Sequence, residues 1–192
     1  MKLILASGSV TRRKIMDSLK LKYEVVISDY EENIENDNPR AYVEELSLNK
    51  AMSVKEKVNF DALIIAADSI IYKDGKKYEK PKTIQEAISN MRELRGSVNQ
   101  GITGVTIYDT KNNTYKTFSC VTDVHLKDIR DEDIMWYVEH EEDLLKKAGY
   151  SLEGVMSLFV ERIDGDYYNV LGLPLGKIYT SINELGYTLK DL

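Results

Sequence analysis

The residues with the clearest chemical potential stand near the start, in Leu5-Ala6-Ser7-Gly8-Ser9-Val10-Thr11-Arg12-Arg13-Lys14. A short apolar run ends there in a turn of small residues, and a helix-like pattern follows. A strand feeding such a turn presents the backbone N–H groups of a helix N-terminus to an anion. Ser7 and Ser9 add hydroxyl donors, and Arg12 and Arg13 add planar charged forks that suit phosphate. The glycine spacing of the Walker A and dinucleotide fingerprints is absent. The plainer alternative is a capped helix start with solvated arginines.

Two acidic sites could complement such a cradle. Asp68 closes the run Ala62-Leu63-Ile64-Ile65-Ala66-Ala67, and a carboxylate at the exit of an apolar strand faces the crevice where α/β sheets place ligands. Glu31 and Glu32 lie in the acidic stretch 28–33. Lys80 is held extended by Pro81. Each has a structural alternative: a turn-capping aspartate, a solvated loop, a surface lysine. Together they match the needs of metal-assisted hydrolysis of a phosphoanhydride. Carboxylates hold Mg²⁺, a hard ion that prefers oxygen. One carboxylate also takes a proton from water, and the cations stabilise charge on the phosphate oxygens.

The elements that must position these groups alternate. Strands are expected at 2–6, 23–27, 63–67, 69–72, 101–108, 115–125, 158–163 and 167–170, each rich in β-branched or aromatic residues. Helices are expected at 13–19, 39–57, 84–94, 131–139 and 175–185, with Pro39 opening the second in its first turn. The class is therefore α/β, and a hairpin between Tyr108 and Tyr115 makes the sheet mixed. The 192 residues are expected to form a single domain, 1–192. The net charge of −6 argues against general nucleic-acid binding. No run is long enough to span a bilayer, so no membrane partner is expected and a cytoplasmic location is. The single cysteine, Cys120, excludes an internal disulfide and reads as an inert strand residue.

The ordered set of short motifs resembles the Maf family of nucleoside triphosphate pyrophosphatases nearly end to end. The opening Ala6-Ser7-Gly8-Ser9 with Arg12-Arg13, the acidic Asp29-Tyr30-Glu31-Glu32, and Asn49-Lys50-Ala51 match in order. Ala66-Ala67-Asp68-Ser69, Lys80-Pro81, Thr103-Gly104-Val105, Lys147-Ala148-Gly149-Tyr150 and the stretch from Gly165 to Leu175 follow. The resemblance implies two lobes with flanking helices around a cleft, similar to inosine triphosphate pyrophosphatases. It implies hydrolysis between the α and β phosphates, giving a nucleoside monophosphate and pyrophosphate and clearing modified or non-canonical nucleotides. Asp68 carries over as proton acceptor, Glu32 as metal or water ligand, and Lys80 as a further catalytic cation. Ser7, Arg12, Arg13 and Lys50 carry over as phosphate contacts, and Glu32 and Asp68 as ligands of Mg²⁺, with Mn²⁺ as the alternative. A homodimer is implied, and so is a second reading, a nucleotide-sensing regulator of cell division and septum formation with incidental hydrolysis.

Specificity signals, carried by Arg12, Ser69 and Glu153, point two ways. The extra residue before Arg12 and the glutamate at 153 resemble the branch acting on 7-methyl-GTP. Ser69 resembles the threonine of the branch acting on dTTP and UTP. A carboxylate only accepts hydrogen bonds. At a base edge Glu153 would therefore favour guanine-type donors over the carbonyls of uracil or thymine.

Overall fold

In the computed structural model, which describes residues 1–141, 145, 150 and 152–192, the apolar run before Asp68 does not end there. It continues as one twelve-residue strand, β3 (Ala62–Lys73), rather than the two short strands expected. The reason lies in its neighbour. β5 (Val98–Asp109) pairs with β3 antiparallel and without interruption from Leu63↔Asp109 to Tyr72↔Gln100, so Asp68 sits in mid-strand opposite Gly104. Asp68 is thus not at a strand exit.

β1 (Lys2–Leu5) runs parallel to β3 and to β2 (Tyr23–Val25). β5 leads through the expected turn into β6 (Thr114–Leu126), and β7 (Val160–Asp164) completes the row. The seven-stranded sheet has the order β2-β1-β3-β5-β6-β7, with β4 (Lys76–Tyr78) added to the far end of β3. The sheet is mixed, as the hairpin requires. The strand expected at 167–170 is instead a short helix. The Asp166 carboxylate accepts the N–H groups of Tyr168 and Asn169 at 2.8 and 3.3 Å, and such a cap outweighs the β preference of the tyrosines.

Side chains alternate across β3, and each face meets different helices. Ile64, Ala66 and Ile70 pack under α2 (Pro39–Lys55), with Val43, Leu46, Ala51 and Val54. On the opposite face Leu63, Ile65 and Ala67 meet α1 (Val10–Ser18) and a C-terminal helix (Leu175–Glu184). Further along that face Ile71 packs with α3 (Ile84–Leu94) and α4 (Asp131–His140). The short helix Tyr167–Val170 is α5 and the C-terminal one α6. Two helix groups therefore share one face of the sheet, and Ser69 lies between Ala67 of one cluster and Ile71 of the other.

The edge of β3 is interrupted at the same place. β1 pairs with it only as far as Ile65, with Ala6 N–H donating to Ile65 C=O at 2.8 Å, and β4 joins only from Ile71. Residues 66–70 of β3 form an open notch between them. Among the described residues no helix is long and apolar enough to cross a membrane.

Candidate active site

The notch opens into a cleft of about 600 Å³ lined by Ser7 to Arg12, Glu32, Lys50, Asp68, Ser69, Lys80 and Gly172, among others. Asp68 and Ser69 point to opposite faces of the strand, yet both reach the cleft because the strand edge is bare there.

Ser9 caps α1, its hydroxyl accepting from Arg12 N–H at 3.4 Å, and the Ser7 hydroxyl accepts from Ser9 N–H at 3.2 Å. The helix starts at Val10, earlier than expected, so its first turn lines the cleft. Arg12 then crosses the notch. Its Nε donates to Gly172 C=O at 2.8 Å, Nη1 to Ala67 C=O at 2.9 Å and Ser7 Oγ at 3.2 Å, and Nη2 to Ser69 Oγ at 2.9 Å. A guanidinium has five N–H donors, so these bonds leave one for a ligand. Burial lowers the Arg12 pKa while Asp68 and Glu32 oppose the change, and the group stays charged. Gly172 has φ +93°, and a Cβ there would lie 3.1 Å from Ser69 Oγ and 3.3 Å from Arg12 Nε. Both the backbone angle and the close approach require glycine.

Across the cleft, Lys50 joins the two acidic sites. Its Nζ bonds Asp68 Oδ1 and lies 2.7 Å from Glu32 Oε1. The side chains of Lys50 and Asp68 are each 14% exposed, whereas that of Glu32 is 46% exposed. Burial pushes the Glu32 carboxyl upward, but the hydrogen bond and charge of Lys50, aided by Lys80 and Arg12, hold it below its ordinary value.

Helix α2 makes this possible through one close approach. A Cβ on Gly104 would stand 2.2 Å from Val43 C=O, so the helix backbone rests directly on β5. Ser47 Oγ meets Thr106 Oγ1 at 3.0 Å one turn later. The same helix and the turn after it bind the acidic loop. Ser53 Oγ donates to Asp29 Oδ1 at 2.5 Å, Lys57 Nζ lies 3.1 Å from Asp29 Oδ2, and Asn49 Nδ2 donates to Tyr30 Oη at 3.1 Å. Tyr42 Oη donates to Glu79 at 2.5 Å, fastening the segment before Lys80. Sequence reasoning missed Asn49, Ser53 and Lys57. Their signal was a polar residue at every fourth position, 49, 53 and 57, along the end of α2 and into the turn after it.

The donor set fits a divalent ion in part. Glu32 and Asp68 aim oxygens at one point, the Lys50 ammonium, and oxygen is what Mg²⁺ prefers. Among the described residues no group of three or more His, Cys, Asp or Glu gathers to complete a site.

Ser7, Arg12, Glu32, Lys50, Asp68, Ser69 and Lys80 thus converge on one cleft. Arg13 and Glu153 are not among its lining residues. Arg13 Nε is buried without a hydrogen-bond partner, and Glu153 lies 3.9 Å from Lys14 Nζ. Of the motif at 147–150, only Tyr150 is among the described residues, and its hydroxyl donates to Asn99 Oδ1 at 2.7 Å. Cys120 lies half-buried in β6, and burial raises its thiol pKa.

The profile of the Maf-like protein family matches residues 2–185. The chain belongs to that family. A dTTP/UTP pyrophosphatase of Thermoanaerobacter sp. (strain X514) is 41% identical over 179 residues, covering 93% of this chain and 94% of the relative. A dTTP/UTP pyrophosphatase of Clostridium novyi (strain NT) is 37% identical over 191 residues, covering 98% and 100%. A solved Staphylococcus aureus Ham1 protein aligns with 67% of this chain and 73% of its own at 13% identity, with a TM-score of 0.47.

Proposed function

We propose that this protein is a nucleoside triphosphate pyrophosphatase that cleaves the α–β phosphoanhydride. The observation that carries the reading is the meeting of Asp68, Glu32 and Lys50 opposite the first turn of α1, within one cleft. The triphosphate lies along the α1 N-terminus, where N–H groups and the Ser7 hydroxyl receive its oxygens. Lys80, Lys50 and the remaining Arg12 donor take the rest of the charge. Asp68 accepts a proton from a water molecule, whose oxygen bonds to the α phosphorus as the bond to the bridging oxygen breaks. Nucleoside monophosphate and pyrophosphate are the products. A divalent ion, Mg²⁺ or Mn²⁺, held by Glu32 and Asp68 would draw charge from the phosphate oxygens.

The names of the relatives support dTTP and UTP as substrates. Glu153 supports a guanine-type base, provided its carboxylate leaves Lys14 and reaches the base edge. Rates across a nucleotide panel, with pyrophosphate and orthophosphate scored separately, test bond and base together. Pyrophosphate release fastest with UTP or dTTP is expected. Orthophosphate as first product would refute the cleavage site, and GTP or 7-methyl-GTP ahead by tenfold would move the base assignment to Glu153. Repeated turnover separates the enzyme from a sensor, which completes one slow round. A cytoplasmic homodimer belongs to the same reading, and light scattering at 22 kDa or at twice that mass tests the dimer.

A further inference from the structure

Lys50 stands where a cation would bind. Its ammonium is the point on which Glu32 and Asp68 both converge, and the trio is tucked against α2, which rests on the sheet without slack at Gly104. Lys80 and Arg12 line the same cleft as the trio. Lys50, Lys80 and Arg12 thus share one cleft with the two carboxylates, while Glu79, beside Lys80, is held by Tyr42. A free divalent ion meets a position already held by the Lys50 ammonium, seated between the two carboxylates. A triphosphate meets attraction, and it offers the ammonium another anionic partner. Two carboxylates alone also leave most of a six-oxygen shell unfilled, which phosphate oxygens and water would complete.

We propose that Lys50 is an internal counter-ion that closes the Glu32–Asp68 pair to a divalent cation until a triphosphate draws its ammonium away, so that metal and nucleotide bind together. The proposal rests on the nucleotide reading above and adds an order to it. Lys50 is then a positioning residue for the empty state and a phosphate contact in the loaded one. The two roles use the same three N–H donors in turn. By linkage, the factor by which nucleotide tightens metal binding equals the factor by which metal tightens nucleotide binding.

Mn²⁺ is the probe, counted by the electron paramagnetic resonance of the unbound ion, with no turnover involved. Native protein alone is expected to bind Mn²⁺ weakly. Adding a non-hydrolysable α,β-methylene analogue of UTP should tighten binding at least tenfold, after correction for Mn²⁺ held by the analogue in solution. Lys50→Gln without nucleotide should bind Mn²⁺ about tenfold more tightly than native protein, and Lys50→Arg should resemble native. Equal Mn²⁺ affinity in native protein and a folded Lys50→Gln overturns the proposal. If Lys50→Gln does not fold, the native measurements decide, because equal affinity with and without the analogue also overturns it. Failure of the analogue to bind at any Mn²⁺ concentration overturns the nucleotide reading and the release step with it. The Lys50→Gln arm, run without nucleotide, tests the counter-ion separately.

Discussion

At the scale of single residues, Asp68 and Glu32 divide their work by burial. Asp68 is enclosed and bonded to Lys50, and in the proposed reaction it takes the proton. Asp68→Asn keeps the shape and removes the base, so pyrophosphate release should fall by about 10²–10⁴ while KM changes little. Glu32 is more exposed and has a depressed pKa. A depressed carboxylate adds stability above its unfolded pKa and loses it as pH falls through the folded value. Native protein should therefore be more stable than Glu32→Gln near neutral pH, and the gap should close in acid below the ordinary carboxylate range. Urea titrations at the two pH values measure this. Arg12 is a different case. The sequence marked it as a phosphate ligand, but most of its donors tie α1, β3 and the Gly172 turn together. Lys cannot reproduce that fork, and Arg12→Lys should lose about 2 kcal/mol or more in urea unfolding. Residue type alone could not separate ligand from tie, because three of the four partners, the Gly172 and Ala67 carbonyls and the Ser69 hydroxyl, are distant in sequence.

At the scale of elements, α2 is the part on which the site depends. It carries Lys50, holds the acidic loop through Asn49 and Ser53, with Lys57 added from the turn just after it, and fastens the Lys80 segment through Tyr42. Its backbone rests directly on β5 at Gly104. Gly104→Ala must lift the helix, at a cost of about 1–3 kcal/mol by the usual overpacking scale. Activity should drop further than stability, since Lys50 and Glu32 move together. Thermal melts and pyrophosphate assays on the same sample measure the two effects. Most of these elements could be read from periodicity, and α2 could be placed from Pro39 onward. The failures are instructive. Asp68 looked like a terminator because a charged residue rarely sits in mid-strand, yet the ladder with β5 carries the strand past it. Residues 167–170 looked like a strand from their tyrosines, and Asp166 overrode them with two hydrogen bonds. Propensity is local, and both outcomes were set by a partner or a cap.

At the scale of the molecule, the mixed sheet and its flanking helices were legible because strands and helices alternate in the sequence and the hairpin fixes one antiparallel pair. The cleft was legible only through the ordered motifs. Its physical origin, a gap in one strand edge facing the boundary between two helix groups, depends on where β1 stops and β4 starts. No short window of sequence holds both facts. The protein as a whole is acidic, while the cleft gathers Arg12, Lys50 and Lys80. Added salt should therefore weaken nucleotide binding by screening this local field. A rise in KM between 50 mM and 500 mM KCl with little change in kcat is the expected result.

The gap in β3 has one more consequence. Bare strand edges invite stray chains to add themselves and begin aggregation. Here the unpaired stretch covers five residues, about 17 Å at ~3.3 Å each, three of them buried, and paired neighbours block it at both ends. Arg12 already occupies one of its carbonyls. An invading strand would find no room to extend, so the sheet edge can stay open to the cleft without inviting strand addition there.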